Sequence, residues 1–182
     1  MGARSGRQGR RVRRSPADLP PAARYEAARE VVLKSLTACA RTRGQLAATL
    51  ARKGFDEATA TAVLDRLTEV GLIDDAAYAE LLVRTRVAER GLAPAAIASE
   101  LARKGVASSI VQAAVAQIDA DQQRQMASQL AVKRARSLTN CTRQVAWRRL
   151  TSMLARKGYP AQLVSEVVTQ VLADWAEPEE EQ

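Results

Sequence analysis

The chain has 182 residues, of which 47 % are hydrophobic, 26 % charged and only 3 % aromatic, with a formal net charge of +8, two cysteines and no histidine. Such a chain folds in water around aliphatic side chains, holds no apolar run of the ~20 residues a membrane span needs, and lacks the histidines and paired cysteines of an ordinary transition-metal site. Ala, Leu and Val supply the apolar mass, which favours helices over strands.

Residues 1–21 carry six arginines (Arg4, Arg7, Arg10, Arg11, Arg13, Arg14) against Asp18, followed by a Pro-Pro stop at 20–21. They read as a disordered Arg-rich tail. Helical periodicity begins at 22, with Tyr25, Val32, Leu36 and Cys39 on one apolar face over 22–41 and Cys39 as a small core residue. Thr42 with Gln45 forms a capping-box pattern that opens a helix over 43–53. That helix closes on Leu50-Ala-Arg-Lys-Gly54, and the same five residues return at Leu101–Gly105 and Leu154–Gly158, at offsets of 51 and 53. A bulky residue follows each glycine: Phe55, Val106, Tyr159. The chain is therefore three copies of one unit.

Sliding the repeat by its own offset exposes the core. Leu46 and Leu50 map to Ile97 and Leu101, then to Leu150 and Leu154. Val63, Leu64 and Leu67 map to Ala114, Val115 and Ile118, then to Val167, Val168 and Val171. Both spacings are stripes of a 3.6-period helix. In unit two a stripe of Tyr78, Leu81 and Leu82 precedes the pair. The helices are predicted at 22–41, 43–53, 57–70, 75–90, 94–104, 108–118, 121–137, 143–157 and 160–174. Asp74 caps the fourth, and Pro94 sits one position into the fifth, where proline is tolerated. The expected fold is all-α: three tandem three-helix repeats at 22–72, 73–119 and 120–174 that stack as an elongated curved solenoid. An acidic tail occupies 175–182.

Between the first two copies the chain reads Gly71-Leu-Ile-Asp-Asp-Ala-Ala-Tyr-Ala79, followed by Arg84-Thr-Arg86 and Arg90-Gly91. With Arg43 to Leu46 and the Leu-x-x-Lys-Gly endings, residues 22–174 resemble the bacterial RecX family, regulators of the RecA recombinase. The resemblance implies a cytoplasmic, helical-repeat regulator whose partner is the RecA–DNA filament. Its expected effect is to lower RecA ATPase, strand-exchange and coprotease activities, restraining DNA recombination, repair and the SOS response.

The residues themselves hold no catalytic constellation. There is no histidine and no Gly-rich phosphate loop with its lysine, and helix capping accounts for the Asp74-Asp75 doublet. No enzymatic activity, cofactor or metal is expected, and the protein is expected to be a cytoplasmic monomer. Charge points instead to a surface. Residues 119–173 carry nine basic side chains against Asp119, Asp121 and Glu166, and 73–118 carry five of each sign. The expected partner-binding set is Lys133, Arg134, Arg136, Arg143, Arg148, Arg149, Arg156 and Lys157. Lys53 and Lys104 join it because three of the five lysines in an Arg-rich chain occupy the repeat's one Lys position. Those lysines also suit the helix macrodipole. The alternative is a DNA-binding helical module, since three-helix units resemble helix-turn-helix domains and would bind DNA in a strongly salt-dependent way.

Overall fold

The computed structural model describes residues 15–138 and 141–175. Among them are nine α-helices and no strand: α1 (Pro21–Ala38), α2 (Arg43–Arg52), α3 (Glu57–Glu69), α4 (Asp75–Arg90), α5 (Pro94–Arg103), α6 (Ser108–Val115), α7 (Ala120–Ala135), α8 (Arg143–Arg156) and α9 (Ala161–Val171). They form three three-helix modules, each with its own apolar core. The chain divides into two compact units, Met1–Ile73 and Asp74–Gln182, so modules two and three share the second.

The repeat pairs are the centres of the cores. Leu46, Leu50, Ile97, Leu101, Leu150 and Leu154 are all buried. Each middle helix ends in the same way. The amide after the glycine donates to the carbonyl of the repeat Leu (Phe55 to Leu50, Val106 to Leu101, Tyr159 to Leu154), while the glycine amide donates to the Ala carbonyl. This is a Schellman closure, which needs a left-handed residue. Gly54, Gly105 and Gly158 supply it at φ of +85°, +78° and +88°. Phe55, Val106 and Tyr159 fold back into their own cores. Leu101 has no exposed surface, so Leu101→Ala is expected to cost ~2–5 kcal/mol, measured by urea unfolding of the second unit.

The helix starts follow the predicted chemistry. Thr42 Oγ1 accepts the Gln45 amide and Gln45 Oε1 accepts the Thr42 amide, both at 3.2 Å. Asp56, Asp74, Asp119 and Thr142 cap α3, α4, α7 and α8 with their side chains. Pro94 opens α5.

Three expectations are corrected. Cys39 is exposed rather than in the core, because α1 stops at Ala38 and Cys39 itself is extended (φ −168°, ψ 159°). Leu81 is 52 % exposed; the face of α4 that meets the core is Ala79, Leu82 and Val83. The N-terminal tail does not reach to residue 21. Ser15 caps a 3-10 turn at Pro16–Asp18, and Pro20 and Pro21 begin α1. The Arg24 guanidinium ties this turn down by donating to the carbonyls of Pro16, Ala17 and Leu19 at 3.0–3.2 Å. The expected disorder of the flanking segments at 1–14 and 176–182 lies outside the described residues. Helices α6 and α9 also end three residues sooner than predicted, at Val115 and Val171.

Arg24 also pairs with Asp56 at 2.9 Å. Asp56 accepts the Thr59 amide and hydroxyl as well, and with the guanidinium these bonds lower its carboxyl from 3.8 to about 2. A carboxyl depressed on folding adds stability above its unfolded pKa, and that stability is lost as pH falls from about 4 through about 2. Asp56→Ala is therefore expected to flatten the acid dependence of first-unit unfolding across this window. An unchanged slope, followed by circular dichroism, would show that the cap and ion pair add nothing.

Candidate functional site

Among the described residues, the largest excess of positive charge lies in module three. Helix α8 buries Ala146, Leu150 and Leu154 on one stripe. The stripe's spacing sends Arg148, Ser152 and Arg156 to the far side of the helix. With Arg149, Met153 and Arg134 from the last turn of α7, they line an open groove of about 530 Å³. Among the described residues, none of these four arginines takes part in an ion pair, and the three on α8 are exposed. Arg134 donates to the Ser137 hydroxyl at 3.2 Å.

Asp119, Asp121 and Glu166 lie away from the groove. Asp119 accepts the Gln122 amide at 2.7 Å as the cap of α7. Asp121 sits in the first turn of that helix, at the opposite end from Arg134. Glu166 pairs with Arg124 at 2.7 Å and accepts from Gln162, and these bonds hold its carboxyl below the usual range. Among the described residues no acid of module three, the exposed Asp174 at its end included, pairs with a groove arginine. A second groove, of about 900 Å³, shares Arg134 and has an apolar lining that includes Val87, Leu92, Met126, Leu130 and Met153. It runs between modules two and three of the second unit, with Lys133 and Lys157 among its lining residues. Arg136 lines a separate patch with Val132 and Lys133, and Arg143 is exposed at the start of α8.

The three repeat lysines have three different surroundings. Lys157 is half-buried, and its ammonium donates to the Arg90 carbonyl. Its own carbonyl accepts the Ala93 amide at 2.9 Å, and the Tyr159 hydroxyl donates to the Gly91 carbonyl at 3.1 Å. Burial pushes that phenol up to about 12, so it remains a neutral donor. The third copy of the motif thereby latches module three onto the α4–α5 turn. Lys104 lies 4.0 Å from the Glu100 carboxylate and 6.0 Å from the Tyr78 ring centroid. Glu100 is itself gripped by Arg86 through two bonds of 2.8 and 2.7 Å, which hold its carboxyl low. Lys53 closes α2 in the first unit and is exposed.

Sequence reasoning missed the apolar groove and Ser152. The i, i+4 spacing of Arg148, Ser152 and Arg156 was the available signal for the latter. Among the described residues no group of three His, Cys, Asp or Glu could hold a metal ion, and no helix is long and apolar enough to cross a membrane.

Family comparison follows this architecture module by module. Residues 28–67, 74–115 and 121–168 match the models for the first, second and third three-helix domains of RecX. The regulatory protein RecX of Amycolatopsis mediterranei is 42 % identical over 160 residues, covering 88 % of this chain and 91 % of the relative. The chain belongs to the RecX family. The regulatory protein RecX of Streptomyces coelicolor is 41 % identical over 88 % of this chain and 86 % of its own length. Two RecX crystal structures share the fold. One is a regulatory protein RecX at TM-score 0.70 and 26 % identity, covering 81 % of this chain and 72 % of that one. The other, from Lactobacillus salivarius, has TM-score 0.72 at 22 % identity, covering 81 % and 96 %. These RecX relatives are named as regulatory proteins, which fits a chain built around surfaces.

Proposed function

We propose that this RecX-family protein is a cytoplasmic regulator that binds the RecA–DNA filament and lowers RecA ATPase, strand-exchange and coprotease activity. It would thereby restrain recombination and the SOS response. The observation that carries the reading is the arginine groove of α7 and α8, free of ion pairs among the described residues, in a helical-repeat chain of this family. A nucleoprotein filament offers repeated negative charge, and a rigid basic groove is attracted to it before any close contact forms. Arginine suits the purpose because its planar fork pairs with carboxylate or phosphate oxygens two at a time. The proposed contact set keeps Arg134, Arg148, Arg149 and Arg156 at its centre, with Lys133, Arg136 and Arg143 beside it.

Cosedimentation with RecA tests this, with and without nucleotide and single-stranded DNA. The protein should sediment only when filaments form. Equal sedimentation with bare DNA and with filaments would favour a direct DNA-binding module. No sedimentation in any mixture would remove RecA as the partner.

A further inference from the structure

The arginine groove has a candidate occupant within its own chain. Trp175 fixes where the last segment leaves the third module: its indole Nε1 donates to the Cys141 carbonyl at 3.1 Å, one residue before the Thr142 cap of α8. Seven residues follow in this sequence, and four of them are glutamates: Glu177, Glu179, Glu180 and Glu181. At ~3.3 Å per residue, Glu177 reaches ~7 Å from Trp175 and Glu181 ~20 Å. Along α8, at ~1.5 Å per residue, Arg148 and Arg149 lie ~9–11 Å from Thr142 and Arg156 ~21 Å. The extended reach of this segment thus matches the axial span of the guanidinium groups, which lie across α8 from the core face that holds Trp175.

We propose that the segment Glu177–Glu181 docks in the groove of Arg134, Arg148, Arg149 and Arg156 and masks it until a stronger polyanion or acidic surface displaces it. The tether makes docking an intramolecular event at millimolar effective concentration, so weak ion pairs suffice to fill the groove. The same weakness lets a multivalent partner win, and salt releases the segment as the Debye length shrinks to ~3 Å at 1 M. The docking itself stands apart from the RecA reading; only its regulatory consequence rests on the groove being a partner surface.

The test is solution NMR on the full chain, comparing it with the variant E177Q/E179Q/E180Q/E181Q. Amide shifts should change across residues 134–137 and 148–156, independently of protein concentration. The changes should vanish in 1 M salt and in the background R148Q/R149Q/R156Q. In parallel, affinity for inorganic polyphosphate should rise about tenfold in the tail variant, as removal of a tethered competitor implies. It should not rise in the arginine-neutral background, which separates docking from a change in overall charge. Shift changes confined to 174–182, or centred on the arginines of 4–14, would overturn the proposal. Changes that grow with concentration would assign the groove to a second copy instead. None of these outcomes depends on RecA.

Discussion

Gly158→Ala should destabilise the second unit by ~2–4 kcal/mol, whereas the repeat-equivalent Gly54→Ala should cost the first unit only ~1–2 kcal/mol. Both glycines sit at nearly the same left-handed φ, +88° and +85°, so the conformational penalty is shared. Their surroundings differ. A Cβ on Gly158 would lie 2.7 Å from the Ala96 Cβ, 3.0 Å from its nitrogen and 3.3 Å from its Cα, in the first turn of α5. The nitrogen and Cα are helix backbone and the Cβ is fixed directly to it, so none can swing aside and the substitution must prise module three from module two. Among the described residues, the same Cβ on Gly54 would meet only the Pro16 Cδ, at an ordinary 3.8 Å. Loss of the close approach would also lengthen the Lys157 and Tyr159 bonds to the α4–α5 turn, which adds to the cost. Both tryptophans, Trp147 and Trp175, belong to the second unit. Their fluorescence therefore reports that unit alone, and circular dichroism adds the first. Equal costs at the two glycines would show that the latch contributes no stability.

That contrast also marks where sequence reading succeeds and where it stops. Helix-closing chemistry is local: a glycine after Leu-Ala-Arg-Lys and an apolar residue after the glycine dictate the same closure three times. The buried pairs at Leu46/Leu50, Ile97/Leu101 and Leu150/Leu154 were equally legible, because i, i+4 spacing and helix geometry determine a face without reference to a neighbour. What surrounds the motif afterwards depends on tertiary packing. Lys53, Lys104 and Lys157 are identical in sequence context, yet one is exposed, one faces Glu100 and Tyr78, and one crosses to another module. No pentapeptide carries that information. Cys39 failed for a related reason: periodicity extended the helix past Ala38, where the chain turns extended ahead of the Thr42 cap. The basic cluster was visible as composition. Its division into an arginine groove, an apolar groove and a latch required the packing of α7 against α8.

Reversing the groove's charge, as R148E/R149E/R156E, should weaken inhibition of RecA ATPase by about tenfold to a hundredfold at low salt. Each exposed ion pair removed accounts for ~0.2–1 kcal/mol, and each repulsion created adds more. Helical content should not change, since these side chains are exposed and none pairs with an acid among the described residues, so no buried partner is stranded. Long-range attraction falls with ionic strength, and the defect should shrink as salt rises. A defect of constant size would mean that the arginines act through shape rather than charge. Lys104→Ala is the matched control. It holds the repeat position of Lys157 in a module of balanced charge, and its neighbours Glu100 and Tyr78 keep it within that module's own network. It should therefore leave inhibition intact at every salt concentration. If Lys104→Ala instead abolished inhibition while the triple variant behaved normally, the partner surface would belong to module two, and the charge excess of module three would serve another purpose.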